Sequence, residues 1–180
     1  MILTALVVLY LAYGVSTHKD QRCVKPLETI QIDRNMFSGT WFIQDTYSES
    51  GIPPGPCMTL HLTVSPDNKF QGVHSWKEKQ TTRSMITPEI DAPPTADPYD
   101  TKIIYVRIHN DTLRGWFLGV DYDKYGIFYG CTGINTPFVY LWTREETRNE
   151  DVMEKITAYA SRRVILPKRR MIIDHSTCQP

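Results

Sequence analysis

The chain has 180 residues, 20 Lys and Arg against 20 Asp and Glu, and 41% hydrophobic residues, the make-up of one ordinary globular domain. With no surplus of cations to neutralise phosphates, a generic nucleic-acid binder is excluded, as is a disordered acidic or basic tail. No apolar run reaches the ~20 residues of a membrane-spanning helix, which leaves a peripheral enzyme or a soluble carrier.

Ile2 to Tyr13 is a mostly apolar run, followed by the small residues Gly14, Val15 and Ser16 and then by His18, Lys19 and Asp20. This order predicts a secretory signal peptide over residues 1–16, cleaved after Ser16, although its first residues carry no Lys or Arg. Residues 17–180 are then one domain in an oxidising compartment. Cys23, Cys57, Cys131 and Cys178 are even in number and form no close pair, which removes zinc fingers and thioredoxin-type motifs. Two structural disulfides are expected, and spacing leaves all three pairings open.

From Trp41 to Thr143 the hydrophobic pattern has period two. Strands are predicted at Trp41–Thr46, Met58–Val64, Phe70–Trp76 and Thr81–Ile86. Thr87–Tyr99, with Pro88, Pro93, Pro94 and Pro98, reads as a loop. Further strands follow at Lys102–Ile108, Arg114–Val120, Tyr125–Cys131 and Phe138–Thr143, separated by turns at His109–Thr112 and Asp121–Lys124. Eight short strands at this spacing predict an antiparallel sandwich or barrel. Asn110-Asp111-Thr112 is a glycosylation sequon between two of them, expected on an exposed loop.

One helix follows. Thr147 to Glu150 fits a capping box, and Val152, Met153, Ile156, Tyr159 and Ala160 make one apolar stripe. Arg162 and Arg163 sit at its C-terminal end, and Pro167 enforces the stop. Such a helix must dock on the outside of the barrel. The basic run Arg162, Arg163, Lys168, Arg169 and Arg170 reads as a solvated face.

Three short motifs, Gly39-Thr40-Trp41, Val120-Asp121-Tyr122 and Trp142-Thr143-Arg144, resemble the three signature motifs of the lipocalins in order and spacing. Val120 stands where that family usually has Thr. The resemblance implies an all-β fold: an eight-stranded antiparallel up-and-down barrel, or calyx, with one C-terminal α-helix packed outside. It implies that Trp41 closes the narrow end beneath Arg144, with Gly39, Asp121 and Tyr122 completing the floor. The cysteines resemble those of two-disulfide lipocalins such as apolipoprotein D and the insect bilin-binding and salivary groups. That likeness implies Cys23–Cys131 and Cys57–Cys178.

Parity then places side chains. If Arg144 points inward, so do Trp142, Tyr140 and Phe138, while Val139 and Leu141 point outward under the helix. The family's inward positions are Leu60 and Leu62, then Phe70, Gly72, His74 and Trp76. They continue with Gly115, Phe117 and Gly119, then Gly126, Phe128 and Gly130. The inward glycines either leave room beside the aromatics or accommodate bends of the wall. The rings of Phe70, Trp76, Phe117, Phe128, Phe138 and Tyr140 favour an apolar, flat or conjugated ligand over a sugar or a metal.

His61 alternates with Leu60 and Leu62 and faces solvent; His18, His109 and His175 read as solvated. His74 is expected inside the barrel as a polar anchor, or as a haem ligand in the manner of the nitrophorins. No Gly-x-Ser-x-Gly, phosphate-cradling loop or His-Glu-x-x-His occurs, so the sequence predicts no enzyme and no catalytic residue, with no obligatory cofactor or metal. The reading that results is a secreted carrier or scavenger of one small hydrophobic molecule: a bilin, retinoid, fatty acid, sterol or pheromone. The chain is expected to be a monomer or weak dimer, with a cell-surface receptor as a further possible partner. The alternatives are a haem- or amine-sequestering protein using His74, and a protein-interaction or inhibitor module.

Overall fold

The computed structural model of the chain describes residues 23–49, 55–133 and 135–178. The leader reading of residues 1–16 and His18 lie outside these. In chain order the elements are α1 (Arg34–Phe37), β1 (Gly39–Ser48), β2 (Thr59–Val64), β3 (Phe70–Glu78), β4 (Thr81–Ile90) and β5 (Ile104–Ile108). They continue as β6 (Asp111–Asp121), β7 (Tyr125–Cys131), β8 (Pro137–Thr143), α2 (Glu150–Ser161) and β9 (Arg170–Ile172). Each strand from β2 to β8 pairs antiparallel with the next, and β1 pairs with both β8 and β2, so eight strands close into a barrel.

Two bulges shape the wall. One in β1 lies between Ile43 and Asp45; below it Gly39–Phe42 pairs with β2, and beyond it Asp45–Tyr47 takes β9 as a ninth, outer strand. A bulge bends its strand and raises the local twist, which lets β1 leave one neighbour and accept another. The second bulge, between Phe117 and Gly119 in β6, corrects the parity expected there. Leu118 and Gly119 both face outward, and a Cβ on Gly119 would stand 2.7 Å from Cε1 of Tyr159 on α2. Gly119 therefore admits the helix and does not line the interior.

The core is double. An inner cluster fills the barrel, and an outer one joins Leu118, Ile127, Val139 and Leu141 to Met153, Ile156 and Ala160 of α2. Both faces of β8 are thus apolar for separate reasons: Phe138 and Trp142 face the interior, Val139 and Leu141 the helix. The helix begins later than the capping box predicts. Asn149 is the N-cap, its side chain accepting from the Val152 N–H at 3.2 Å, while Thr147 stays in the preceding loop. The expected loop from Thr87 also starts later, because β4 runs to Ile90. Pro88 is tolerated because it pairs only with Gln71 of β3; β5 reaches no further than Glu89, so no second ladder needs the missing N–H.

Disulfides join Cys23 to Cys131 and Cys57 to Cys178, with Cα separations of 5.9 and 5.3 Å. The first ties the segment before α1 to the end of β7; the second ties the C-terminal segment to the start of β2. Asp45, fully buried on the outer face of β1, accepts from Arg148 at 2.6 Å and Arg170 at 2.7 Å. Arg163 stacks 3.5 Å over Tyr159 and pairs with Glu28 at 2.8 Å. Arg163 is therefore a structural cation, and Arg170 holds Asp45 while staying exposed with Arg162, Lys168 and Arg169.

Candidate ligand-binding cavity

The closed end of the barrel is built first by a short helix that periodicity does not reveal. Asp33 caps α1, accepting from the N–H groups of Asn35 and Met36 at 2.9 and 3.1 Å. The turn drops Phe37 into the barrel, where its ring stacks on Trp41 with centroids 4.5 Å apart. The Trp41 indole donates to the Phe37 carbonyl at 2.8 Å and is fully buried. Over its other face lies Arg144, with Cζ 3.7 Å from the ring centroid. Arg144 donates to the carbonyls of Tyr122 at 2.9 Å, Thr40 at 3.0 Å and Ser38 at 2.9 Å. The Tyr122 hydroxyl accepts from the Asp33 N–H at 2.9 Å, while Asp121 turns the chain by accepting from the Asp123 N–H at 3.2 Å. Gly39 has φ +98, and a Cβ there would lie 3.2 Å from Arg144 Nη1, so both backbone and space call for glycine. Val120, at the unusual position, packs half-buried against the inner cluster.

Above this floor is a cavity of about 140 Å³. All nine residues expected to face it line it: Leu60, Leu62, Phe70, His74, Trp76, Phe117, Phe128, Phe138 and Tyr140. Met58, Met85, Thr87, Ile104, Val106, Ile108 and Leu113, which parity did not assign, complete the wall with Trp142. The signal for β4 and β5 was available in their alternation, but both strands are short or interrupted by proline, so their inward face was not fixed. The inward glycines do not make open room. Phe128 lies against Gly115 and Phe138 against Gly130, each ring where a Cβ would stand, and Phe37 does the same at Gly126, 2.9 Å from the Cβ position. The rings themselves fill the barrel and make its cavity compact.

The polar groups in the wall are few. Thr87 donates to the Gly72 carbonyl at 3.2 Å and is satisfied. His74 is part-buried as a residue, but its Nδ1 is shielded from solvent and has no hydrogen-bond partner among the described residues; the same holds for the indole nitrogen of Trp142. Desolvation pushes the His74 pKa down to about 4, and raises that of the Tyr140 hydroxyl to about 12. Both are neutral at pH 7.

The other histidines divide. His61 is exposed, with Nδ1 3.0 Å from the Thr40 hydroxyl, and His109 is exposed in the β5–β6 turn at φ 51. His175 is not solvated as expected: its Nε2 donates to the Ile43 carbonyl at 3.0 Å and its ring meets Phe42 edge-on, because the C-terminal segment folds back along β1. Glu146, His175 and Cys178 approach one another there, but the Cys178 sulfur is in a disulfide and supplies no thiolate. Asn110 is exposed at the tip of the β5–β6 hairpin.

No family model matches the chain. Over 189 aligned residues, spanning 96% of this chain and 95% of the relative, it is 22% identical to retinol-binding protein 4 of Gallus gallus. Its fold matches that of lobster apocrustacyanin A1 with a TM-score of 0.64, covering 86% of this chain and 92% of that one at 13% identity. These two likenesses, with the closed eight-stranded barrel, support the lipocalin family. In this barrel the three motifs meet at one place: Gly39 and Trp41 from β1, Tyr122 from the β6–β7 turn and Arg144 after β8. Phenylalanine rings crowd the space above it.

Proposed function

We propose that the protein is a carrier or scavenger holding one small hydrophobic molecule inside the barrel. The observation that carries this reading is an apolar cavity above a sealed, fully bonded floor. The relationship to a protein named for binding retinol supports the same general role. Eight strands is the size at which a barrel holds one small ligand. Of the bilin, retinoid, fatty acid, sterol and pheromone classes, a volume of about 140 Å³ favours the smallest. It is close to the ~150 Å³ at which a dry apolar cavity takes up benzene, and below the ~300–1,000 Å³ of drug-sized sites.

The same volume argues against haem. His74 is neutral and inward, as an iron ligand must be, but a macrocycle does not fit beside Phe128 and Phe138. Among the described residues, no carboxylate lines the cavity to receive an amine. Secretion fits the two disulfides, and among the described residues no helix is long and apolar enough to cross a membrane. A leader over residues 1–16 and a glycan on Asn110 belong to this reading. The test is titration of intrinsic tryptophan emission with a panel of neutral apolar molecules, since Trp76 and Trp142 line the cavity. Saturable quenching at one molecule per chain is expected; no saturable response to any member contradicts the reading and favours an interaction module.

A further inference from the structure

Among the described residues, the cavity wall contains no Asp, Glu, Lys or Arg. An ion placed there would lose its hydration without finding a partner, so charged ligands are strongly disfavoured. Two flat surfaces face the space: Phe128 stacks on Trp142 at an interplanar angle of 11° and a centroid distance of 5.6 Å, and Phe117 meets Phe128 edge-on at 5.3 Å. Among the residues lining this space, Trp142 carries an indole N–H that is shielded from water and has no hydrogen-bond partner among the described residues. An indole nitrogen only donates, so the group that satisfies it must be an acceptor. Its desolvation cost is already met in the folded protein, which makes a new hydrogen bond there worth more than an ordinary exchange with water.

We infer that the ligand is a compact, neutral aromatic molecule carrying a hydrogen-bond acceptor, and that Trp142 is the specificity-determining residue that donates to it. This rests on the carrier reading and narrows it. Phe138 and Phe128 set the size limit, the absence of charge in the wall sets the neutrality, and the indole N–H sets the acceptor.

Isothermal titration calorimetry of the full chain at pH 7 tests this with four probes: acetophenone, ethylbenzene, benzoate and all-trans-retinol. Acetophenone is expected to bind one per chain, at least about tenfold tighter than benzoate, because an unpaired charge is excluded. Trp142→Phe should weaken acetophenone at least about fivefold and leave ethylbenzene within about twofold, because only the carbonyl compound loses a hydrogen bond. In the unsubstituted protein, the indole proton resonance of Trp142 should move downfield with acetophenone and not with ethylbenzene, a readout that needs no variant to fold. Equal losses for both probes, benzoate binding as tightly as acetophenone, or an unmoved indole resonance would overturn the inference. Retinol binding tighter than acetophenone would overturn it too, yet leave the carrier reading standing. Binding of none of the four would remove both.

Discussion

Two adjoining layers of the barrel interior, both packed on Phe37, treat their tryptophans in opposite ways. At the floor, the Trp41 indole donates to the Phe37 carbonyl at 2.8 Å, a guanidinium covers its ring, and that guanidinium reaches carbonyls on three segments. In the cavity wall, the Trp142 indole N–H and His74 Nδ1 are shielded from solvent and have no hydrogen-bond partner among the described residues. A folded protein satisfies buried polar groups wherever it can, so the floor is built for stability and the wall keeps polar atoms for something else. The difference teaches where stability and ligand selection reside in one small core.

The comparison breaks first at Trp41. Trp41→Ala removes a fully buried ring and should lower stability by about 3–5 kcal/mol in denaturant titration, whereas a loss under about 1 kcal/mol would mean the floor does not close the barrel. Asp45 offers a control of similar size outside the interior. Asp45→Ala leaves Arg148 and Arg170 without their shared carboxylate, and about 3–5 kcal/mol should be lost.

Next comes the pH dependence of His74. Its pKa is about 4 in the folded protein against 6.5 in the unfolded chain, so the unfolded state binds the proton first as the pH falls. Stability present above pH 6.5 is therefore lost progressively toward pH 4, by up to about 3 kcal/mol. His74→Phe should remove that loss, and at neutral pH it should leave stability within about 1 kcal/mol or raise it, because an unsatisfied polar atom is deleted. A variant that loses stability at pH 7 and keeps the acid sensitivity would show that His74 has a partner. The smallest effect tests the helix contact: Gly119→Ala pushes against Tyr159, itself held under Arg163, and should cost about 1–3 kcal/mol by thermal denaturation.

Much of this was legible in the chain. Alternation located all eight barrel strands, and the apolar stripe of Met153, Ile156 and Ala160 located the helix that covers them. The motif positions gave the floor, strand parity gave Phe138 and Tyr140, and the family resemblance gave the other seven named cavity residues. Parity failed where the backbone breaks period two. The bulge at Leu118 turned Gly119 outward, and nothing in the local residue pattern marks that extra residue. The turn of α1 was missed because four residues carry no periodicity, although Asp33 is a proper cap for it. The pairing of Arg170 with Asp45 joins positions 125 residues apart, which no local pattern can connect. The glycines were ambiguous for a related reason: a missing side chain reads as space until one knows which ring lies on it.

The most direct test is a crystal structure of the full chain grown with acetophenone. One molecule should lie among Phe117, Phe128 and Trp142, its carbonyl oxygen within ~3.2 Å of the Trp142 indole nitrogen. Acetophenone seated only on the outer surface, with the barrel interior closed by its own phenylalanine rings, would contradict the account.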